Sequence, residues 1–401
     1  GSMPLGNVWS YPSPRMSYDE TLLAMKELAG ALAHLYRSCI QVGHPIDLTW
    51  NLEHAIFESA KAISREKSLP DPMPPLASLV VASPFDAALH DAFGKVHGRN
   101  CYLTYAPPFL TSDLGAYLGP EFAGRYLHEF LRSSPVPSMP LYHLVGALDP
   151  IEPGDVTTPV KDGLPETLGE WIHWNGLTHL KIKLSGDDPG WDADRIRRIE
   201  TCCVREQQRR GVTSWHYSLD FNEKCPGADA LLHFLQELEK TDPAALSRVA
   251  YIEQPTERNL RGSRHRGIKE AARKIPVVID ESLLDLESLQ QAREIGYTGA
   301  ALKACKGQTQ SLLMAAAAQT YDMFLCVQDL TCPGASLIHS AGLAAHVPGV
   351  TAIEANSRQF VPAANRGWET RFPGIFQTTN GMLDTRCLTG PGLGAFPVDS
   401  D

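Results

Sequence analysis

This sequence lacks any apolar run near the roughly 18 residues that a bilayer crossing needs, and no signal-peptide pattern opens it. No membrane role is expected. Cysteine is scattered: nine residues include no Cys-x-x-Cys, and Cys202 and Cys203 are simply adjacent. That speaks against a zinc-finger framework and favours reduced core or surface thiols in a cytoplasm. The 14 histidines show no His-Glu-x-x-His spacing, so no zinc-protease helix is present. Positive charge is in deficit. A net charge of −10 and a pI of about 5.8 argue against nucleic acid or an anionic membrane as partner. An anionic substrate stays possible, because a bound cation can reverse the local field. What is there is ordinary: 43% apolar and 20% charged residues, as in a soluble globular protein. The 401 residues suffice for one large barrel with a satellite domain, or for two or three smaller domains.

Residues 1–135 read as mainly helical and carry no chemical motif. Gly1-Ser2-Met3 reads as a cloning remnant, or else Gly1–Trp9 as the tail of a strand whose hairpin partners precede it. Helical spacing predicts helices from Tyr18 to Arg37, from Asp47 to Ser64 and from Pro84 to His97, with a proline-rich break from Pro70 to Pro75. Asp91 fits a cap or an ion pair. After Pro135, Pro137 and Pro140 the texture becomes a regular alternation. Strand-like runs fall at 141–146, 179–184, 214–220, 248–253, 276–280, 299–303, 323–328 and 350–355. Helical runs at 165–175, 191–210, 227–240, 265–274, 285–295, 308–321 and 334–346 separate them. This pattern predicts an α/β fold, a (β/α)8 (TIM) barrel over 136–361, with 362–401 returning to the helical region. That region, joined by 362–401, is expected to cover the barrel's C-terminal mouth and exclude water from the site.

Three of the runs end in an acid: Ser218-Leu219-Asp220, Tyr251-Ile252-Glu253 and Val278-Ile279-Asp280, each about thirty residues from the next. Any one acid alone is as well explained by a cap or an ion pair. Three at successive strand ends repel one another, and a hard divalent cation is the natural occupant. Strand two, Leu180-Lys181-Ile182-Lys183-Leu184, puts Lys181 and Lys183 on one face. Strand six ends at Lys303. Lys306, three residues on, would face the other way in a regular strand. In an eight-membered ring strands two and six stand opposite, so Lys183 and Lys303 would flank the three acids as an acid/base pair. Asn222 shares the face of Asp220. Glu281 should point elsewhere or act from behind Asp280. Asp329 is placed to orient Lys303, and Glu354 to meet the substrate. The chemistry suited to this set is abstraction of a proton α to a carboxylate. A metal Lewis acid and a neighbouring cation such as Lys181 would stabilise the charge that develops.

The ordered series Lys181-x-Lys183, Asp220-x-Asn222, Glu253-Gln254-Pro255, Asp280-Glu281-Ser282 and Lys303 resembles the enolase superfamily, in its muconate-lactonizing-enzyme and dipeptide-epimerase branch. The closing Gly390-Pro391-Gly392-Leu393-Gly394 is similar to that family's C-terminal segment. The resemblance implies Mg2+ on Asp220, Glu253 and Asp280, Lys183 and Lys303 as the two bases, a capping domain that shapes substrate choice, and a homo-oligomer. The sequence departs from the family at Gly307-Gln308-Thr309, where this branch often has Gly-Gly. Glu354-Ala355-Asn356 stands where dipeptide epimerases carry Asp-x-Asp, which counts against a dipeptide substrate. The expected activity is that of a racemase, epimerase or cycloisomerase acting on a small carboxylate. A lyase on the same scaffold is the alternative, either a dehydratase or an o-succinylbenzoate-synthase-like enzyme. A Schiff-base aldolase would leave the three acids unexplained. A non-catalytic binding barrel predicts neither metal affinity nor proton exchange.

Overall fold

Eight short parallel strands close in chain order: β1 (Ser138–Val145), β2 (His179–Lys183), β3 (His216–Asp220), β4 (Val249–Glu253), β5 (Val277–Ile279), β6 (Gly299–Leu302), β7 (Phe324–Val327) and β8 (Ile353–Glu354), with β1 also paired to β2. The structure, a computed structural model, describes residues 1–394; the end of the expected C-terminal segment, 395–401, lies outside the described residues. Helices Leu168–Asn175, Pro189–Arg210, Ala228–Thr241, Ile268–Ala272, Leu286–Ile295, Gln308–Thr320 and Ala335–His346 separate the strands, as the alternation predicts. Strand alternation sorts the side chains into two cores. Leu180, Ile182, Tyr217, Leu219, Ile252, Ile279 and Leu302 face the helices in the main hydrophobic cluster. Tyr142, Tyr251, Val278, Ala301, Cys326 and Ala352 fill the interior beneath the mouth. Among the described residues no helix is long and apolar enough to cross a membrane.

The helices Tyr18–Ser38, Pro45–Glu66 and Pro75–Val96 pack around their own cluster, with Met25, Leu28, Leu32, Ile56 and Val80 at its centre. Ser17 opens the first of them with a capping box to Glu20. The third starts at Pro75, not Pro84, about two and a half turns earlier than the sequence predicts, because Pro84 lies inside it. A proline cannot donate to the carbonyl four residues back, and the Ser83 hydroxyl donates to that Val80 carbonyl instead, at 2.8 Å. Pro75 is the first residue of this helix, where its missing N–H costs nothing. Asp86 joins the unit to the barrel: its carboxylate accepts from Thr309 N at 2.8 Å and Thr309 Oγ1 at 2.7 Å, at the start of Gln308–Thr320. Gly307, with φ +112°, allows this approach.

Two expectations fail here. Gly1–Trp9 holds no strand; Asn7–Ser10 forms one helical turn, anchored by Asn7 Nδ2 to the Tyr18 carbonyl at 2.9 Å and to Thr21 Oγ1 at 3.0 Å. Those side-chain contacts hold the turn against the start of the helix Tyr18–Ser38. The C-terminal tail does not stay over the mouth. Its first part passes the β7 loop, where Asn365 Oδ1 accepts from Gly334 N. It then runs to the opposite end of the barrel, where β9 (Met382–Asp384) pairs antiparallel with Ser138–Pro140. β1 begins earlier than expected, and those first residues offer an edge that β9 satisfies. The tail finally reaches the helical unit, where Asp91 Oδ1 accepts from Leu393 N at 3.0 Å and Asn100 Nδ2 donates to the Leu388 carbonyl.

Candidate active site

The register of the sheet builds the site. Lys183 pairs with Asp220 and Asp220 with Glu253, so these three lie in one row across β2, β3 and β4. Asp280 follows the last residue of β5, and Lys303 the last residue of β6. Each is two residues above an interior position, Val278 and Ala301, and so shares its inward face. Gln254 fixes the height of Asp280: its Oε1 accepts from Asp280 N at 2.9 Å and its Nε2 donates to Ser282 Oγ at 3.0 Å.

Among the described residues no group of three His, Cys, Asp or Glu side chains stands at metal-ligand spacing. Ammonium groups stand between the acids. Lys181 Nζ lies 2.7 Å from Glu253, 2.8 Å from Glu354 and 3.2 Å from Asp220. Burial alone would lower Lys181, but these carboxylates outweigh it and hold it well above its ordinary value. Lys183 pairs with Asp220 and donates to Asn222 Oδ1 at 3.0 Å. Lys303 Nζ sits 2.7 Å from Asp280 Oδ2, and the Asp280 and Glu253 charges raise it against the effect of burial.

The acids do not share this field equally. Asp220 and Asp280 are lowered, Asp280 to about 2, since adjacent lysines overcome burial. Glu253 goes well up, through burial and then the charge of Asp220. Like charges crowd it although Lys181 touches it. The donors fit a hard cation: three carboxylates supply only oxygen, and Glu253 carries the repulsion of its neighbours.

The remaining expected residues divide. Lys306 does not face away. The strand stops at Leu302, and the 3-10 turn Ala304–Lys306 swings its ammonium back to the Asp280 carbonyl and to Asp280 Oδ1 at 3.2 Å. Burial lowers Lys306. Glu281 accepts from the Trp9 indole, and its carboxyl rises to about 7 through burial and the charge of Asp280. Among the described residues Asp329 forms no ion pair with Lys303. It accepts instead from the backbone of Thr331, Cys332 and Asn356, because the chain turns sharply after β7 and leaves those N–H groups to be satisfied. Glu354 is held by Lys181 and Asn356 Nδ2 within the barrel.

Three side chains escaped the sequence reading. Gln328, at the inward-facing position just past β7, donates to Glu253, and it lies 3.4 Å from the Tyr251 hydroxyl. The strand ending Val327-Gln328 signalled it by alternation alone. Trp9 had no local signal. Its ring lies over the Lys303 ammonium, 4.5 Å from centroid to Nζ, and its Nε1 donates to Glu281 Oε1 at 2.9 Å. Arg258, paired with Glu223, reaches the Trp9 carbonyl. The roof is one-sided: the Lys303 side chain is 4% exposed, the Lys183 side chain 27%.

Residues 164–399 match the family model described as enolase C-terminal domain-like. Solved structures share the fold at low identity. A mandelate racemase/muconate lactonizing enzyme from a marine actinobacterium, in complex with magnesium, is 16% identical, with 94% of this chain and 85% of that chain covered and a TM-score of 0.60. A dipeptide epimerase from Enterococcus faecalis V583, complexed with Mg and L-Leu-L-Tyr, is 15% identical, with 94% and 83% covered and a TM-score of 0.54. A racemase from Streptomyces coelicolor A3(2) with bound magnesium is 17% identical, with 85% and 76% covered and a TM-score of 0.52. No protein with a curated description matches the sequence significantly.

Proposed function

Since the chain belongs to the enolase C-terminal domain-like family, we propose that it abstracts the proton α to the carboxylate of a small carboxylic acid, in a Mg2+-dependent racemisation, epimerisation or cycloisomerisation. The observation that carries this reading is the opposition of Lys183 and Lys303, on strands across the ring, with Asp220, Glu253 and Asp280 between them. Asp220, Glu253 and Asp280 would hold Mg2+, which when bound supplies Lewis-acid stabilisation of the charge developing on the substrate carboxylate. Lys183 takes the proton from one face of the α-carbon, and Lys303 returns it on the other. Lys181, fixed by Glu253 and Glu354, lends positive charge beneath the reacting centre. Trp9 excludes water from the Lys303 side.

A lyase of the same scaffold is the second reading, favoured by the unequal exposure of the two lysines. There one lysine abstracts the proton and the other stabilises charge. The reading also places the protein in the cytoplasm, consistent with nine free cysteines, as a homo-oligomer without nucleic-acid or membrane partners. The test is an NMR screen for α-proton exchange in D2O across a carboxylic-acid library with Mg2+. Exchange at one α-carbon, abolished by exhaustive chelation, is expected. Exchange that persists after chelation would contradict the metal-dependent reading.

A further inference from the structure

We propose that the cavity between the helical unit and the barrel, on the outer side of the 304–306 turn, binds a small amphipathic amine: an ammonium carried on one aromatic ring or a short alkyl chain. The cavity holds about 90 Å³ and lies between Pro45–Glu66, Pro75–Val96, the β5 loop and the start of Gln308–Thr320. Its walls are apolar, with Ile56, Phe57, Leu79, Leu284, Leu313 and Met314 prominent among them. A mainly apolar cavity of this order takes up a ring-sized guest.

Charge selects which guest. Glu53 and Asp285 both line the cavity, close enough for the charge of Asp285 to add to burial in raising the Glu53 carboxyl. Among the described residues neither carboxylate has an ion-pair partner, and Asp285 is engaged only in capping the helix Leu286–Ile295. Lys306 lies at the cavity wall, but its ammonium is turned away to Asp280. Glu53, half-buried beside an apolar hollow with the exposed Asp285 adding negative charge, lacks a cation, and an ammonium with an apolar body satisfies both surfaces at once. Trp50, 38% exposed, leaves the cavity reachable from solvent. The site stands apart from the proposed catalytic residues, so its test does not depend on them.

The test is calorimetric titration and thermal unfolding of the whole chain with benzylamine, benzyl alcohol and benzoate. Benzylamine should bind and raise Tm by a few degrees at saturation, benzyl alcohol should bind more weakly, and benzoate not at all. Glu53→Gln should weaken benzylamine by about tenfold or more, as loss of a charge-assisted contact does, and leave benzyl alcohol unchanged. Ala82→Phe, which fills the cavity, should abolish both. If that variant fails to fold, the Glu53→Gln titration decides alone. Equal binding of benzoate and benzylamine, or undiminished benzylamine affinity in Glu53→Gln, would overturn the proposal. So would self-association lost in Glu53→Gln with no amine binding, which would give the cavity to a second copy of the chain.

Discussion

Lys183 and Lys303 occupy equivalent places at the ends of opposite strands, and each pairs with the nearest of the three acids. Their surroundings differ. Lys183 stands in the open half of the mouth beside Asn222, with a quarter of its side chain exposed. Lys303 lies under the indole of Trp9, beside a second lysine that shares Asp280. The barrel itself is close to symmetric here. The asymmetry comes from one helical turn near the start of the chain, tied down through Glu281 and Arg258. Strands therefore set the positions of the reacting groups, and the added segment sets which of them the solvent reaches.

Replacing the acids should give the largest effects. Asp220→Asn and Asp280→Asn should each lower activity by on the order of a thousandfold. Their stabilities should separate them. Asp280→Asn leaves the buried ammoniums of Lys303 and Lys306 without their partner and should cost about 3–5 kcal/mol. Asp220→Asn should cost less, since Lys183 can turn to water and Lys181 keeps Glu253 and Glu354. Equal losses in denaturant unfolding would show that the two halves are not differently buried.

Chemical rescue sharpens the contrast. Lys183→Ala and Lys303→Ala should each lose about a hundredfold to ten-thousandfold in kcat. Added methylamine should restore part of the rate in Lys183→Ala, where the vacated space meets solvent, and little in Lys303→Ala. Trp9→Ala should then make Lys303→Ala rescuable in the double variant. Taken alone, Trp9→Ala should cost about ten- to a hundredfold in kcat/KM through loss of the roof. A double variant as resistant to rescue as Lys303→Ala would remove Trp9 from the account.

Much of this was legible because periodicity and chemistry coincided. A β-branched run ending in an acid, repeated at the length of one strand and one helix, announces both a barrel and a site. The order of strands around the ring then follows, and with it the opposition of Lys183 and Lys303. Three things were not legible. Lys306 depended on where β6 stops, and a single residue of strand decides whether its side chain faces in or out. Trp9 lies 272 residues from Glu281, its hydrogen-bond partner, and no local pattern encodes such a contact. Pro84 reads as a helix start because its broken hydrogen bond is repaired by a neighbouring hydroxyl, which composition does not reveal.

The smallest effect tests whether the asymmetry is confined to the mouth. Burial, followed by the charge of Arg358, lowers His143 on β1 to about 3. Burial lowers His339, on the helix after β7, to about 4 despite the charge of Asp86. Both stay neutral when folded, whereas the unfolded chain takes up protons below about pH 6.5. The unfolded state therefore binds more protons in that window, and stability must rise with pH from about 4 to about 6.5. Either His143→Asn or His339→Asn should flatten that slope by about 1.4 kcal/mol per pH unit. A much steeper dependence on one histidine than on the other would extend the asymmetry below the mouth.

The central claim, that Lys183 and Lys303 serve opposite faces of one α-carbon, is tested most directly by isotope exchange on separate enantiomers. Once a substrate is in hand, each enantiomer is incubated in D2O with Lys183→Ala and with Lys303→Ala, and α-deuteration is followed by NMR. The account predicts a mirror result: Lys183→Ala exchanges only the enantiomer whose proton faces Lys303, and Lys303→Ala only the other. Loss of exchange on the same single enantiomer in both variants would contradict the claim and leave one lysine as the only base.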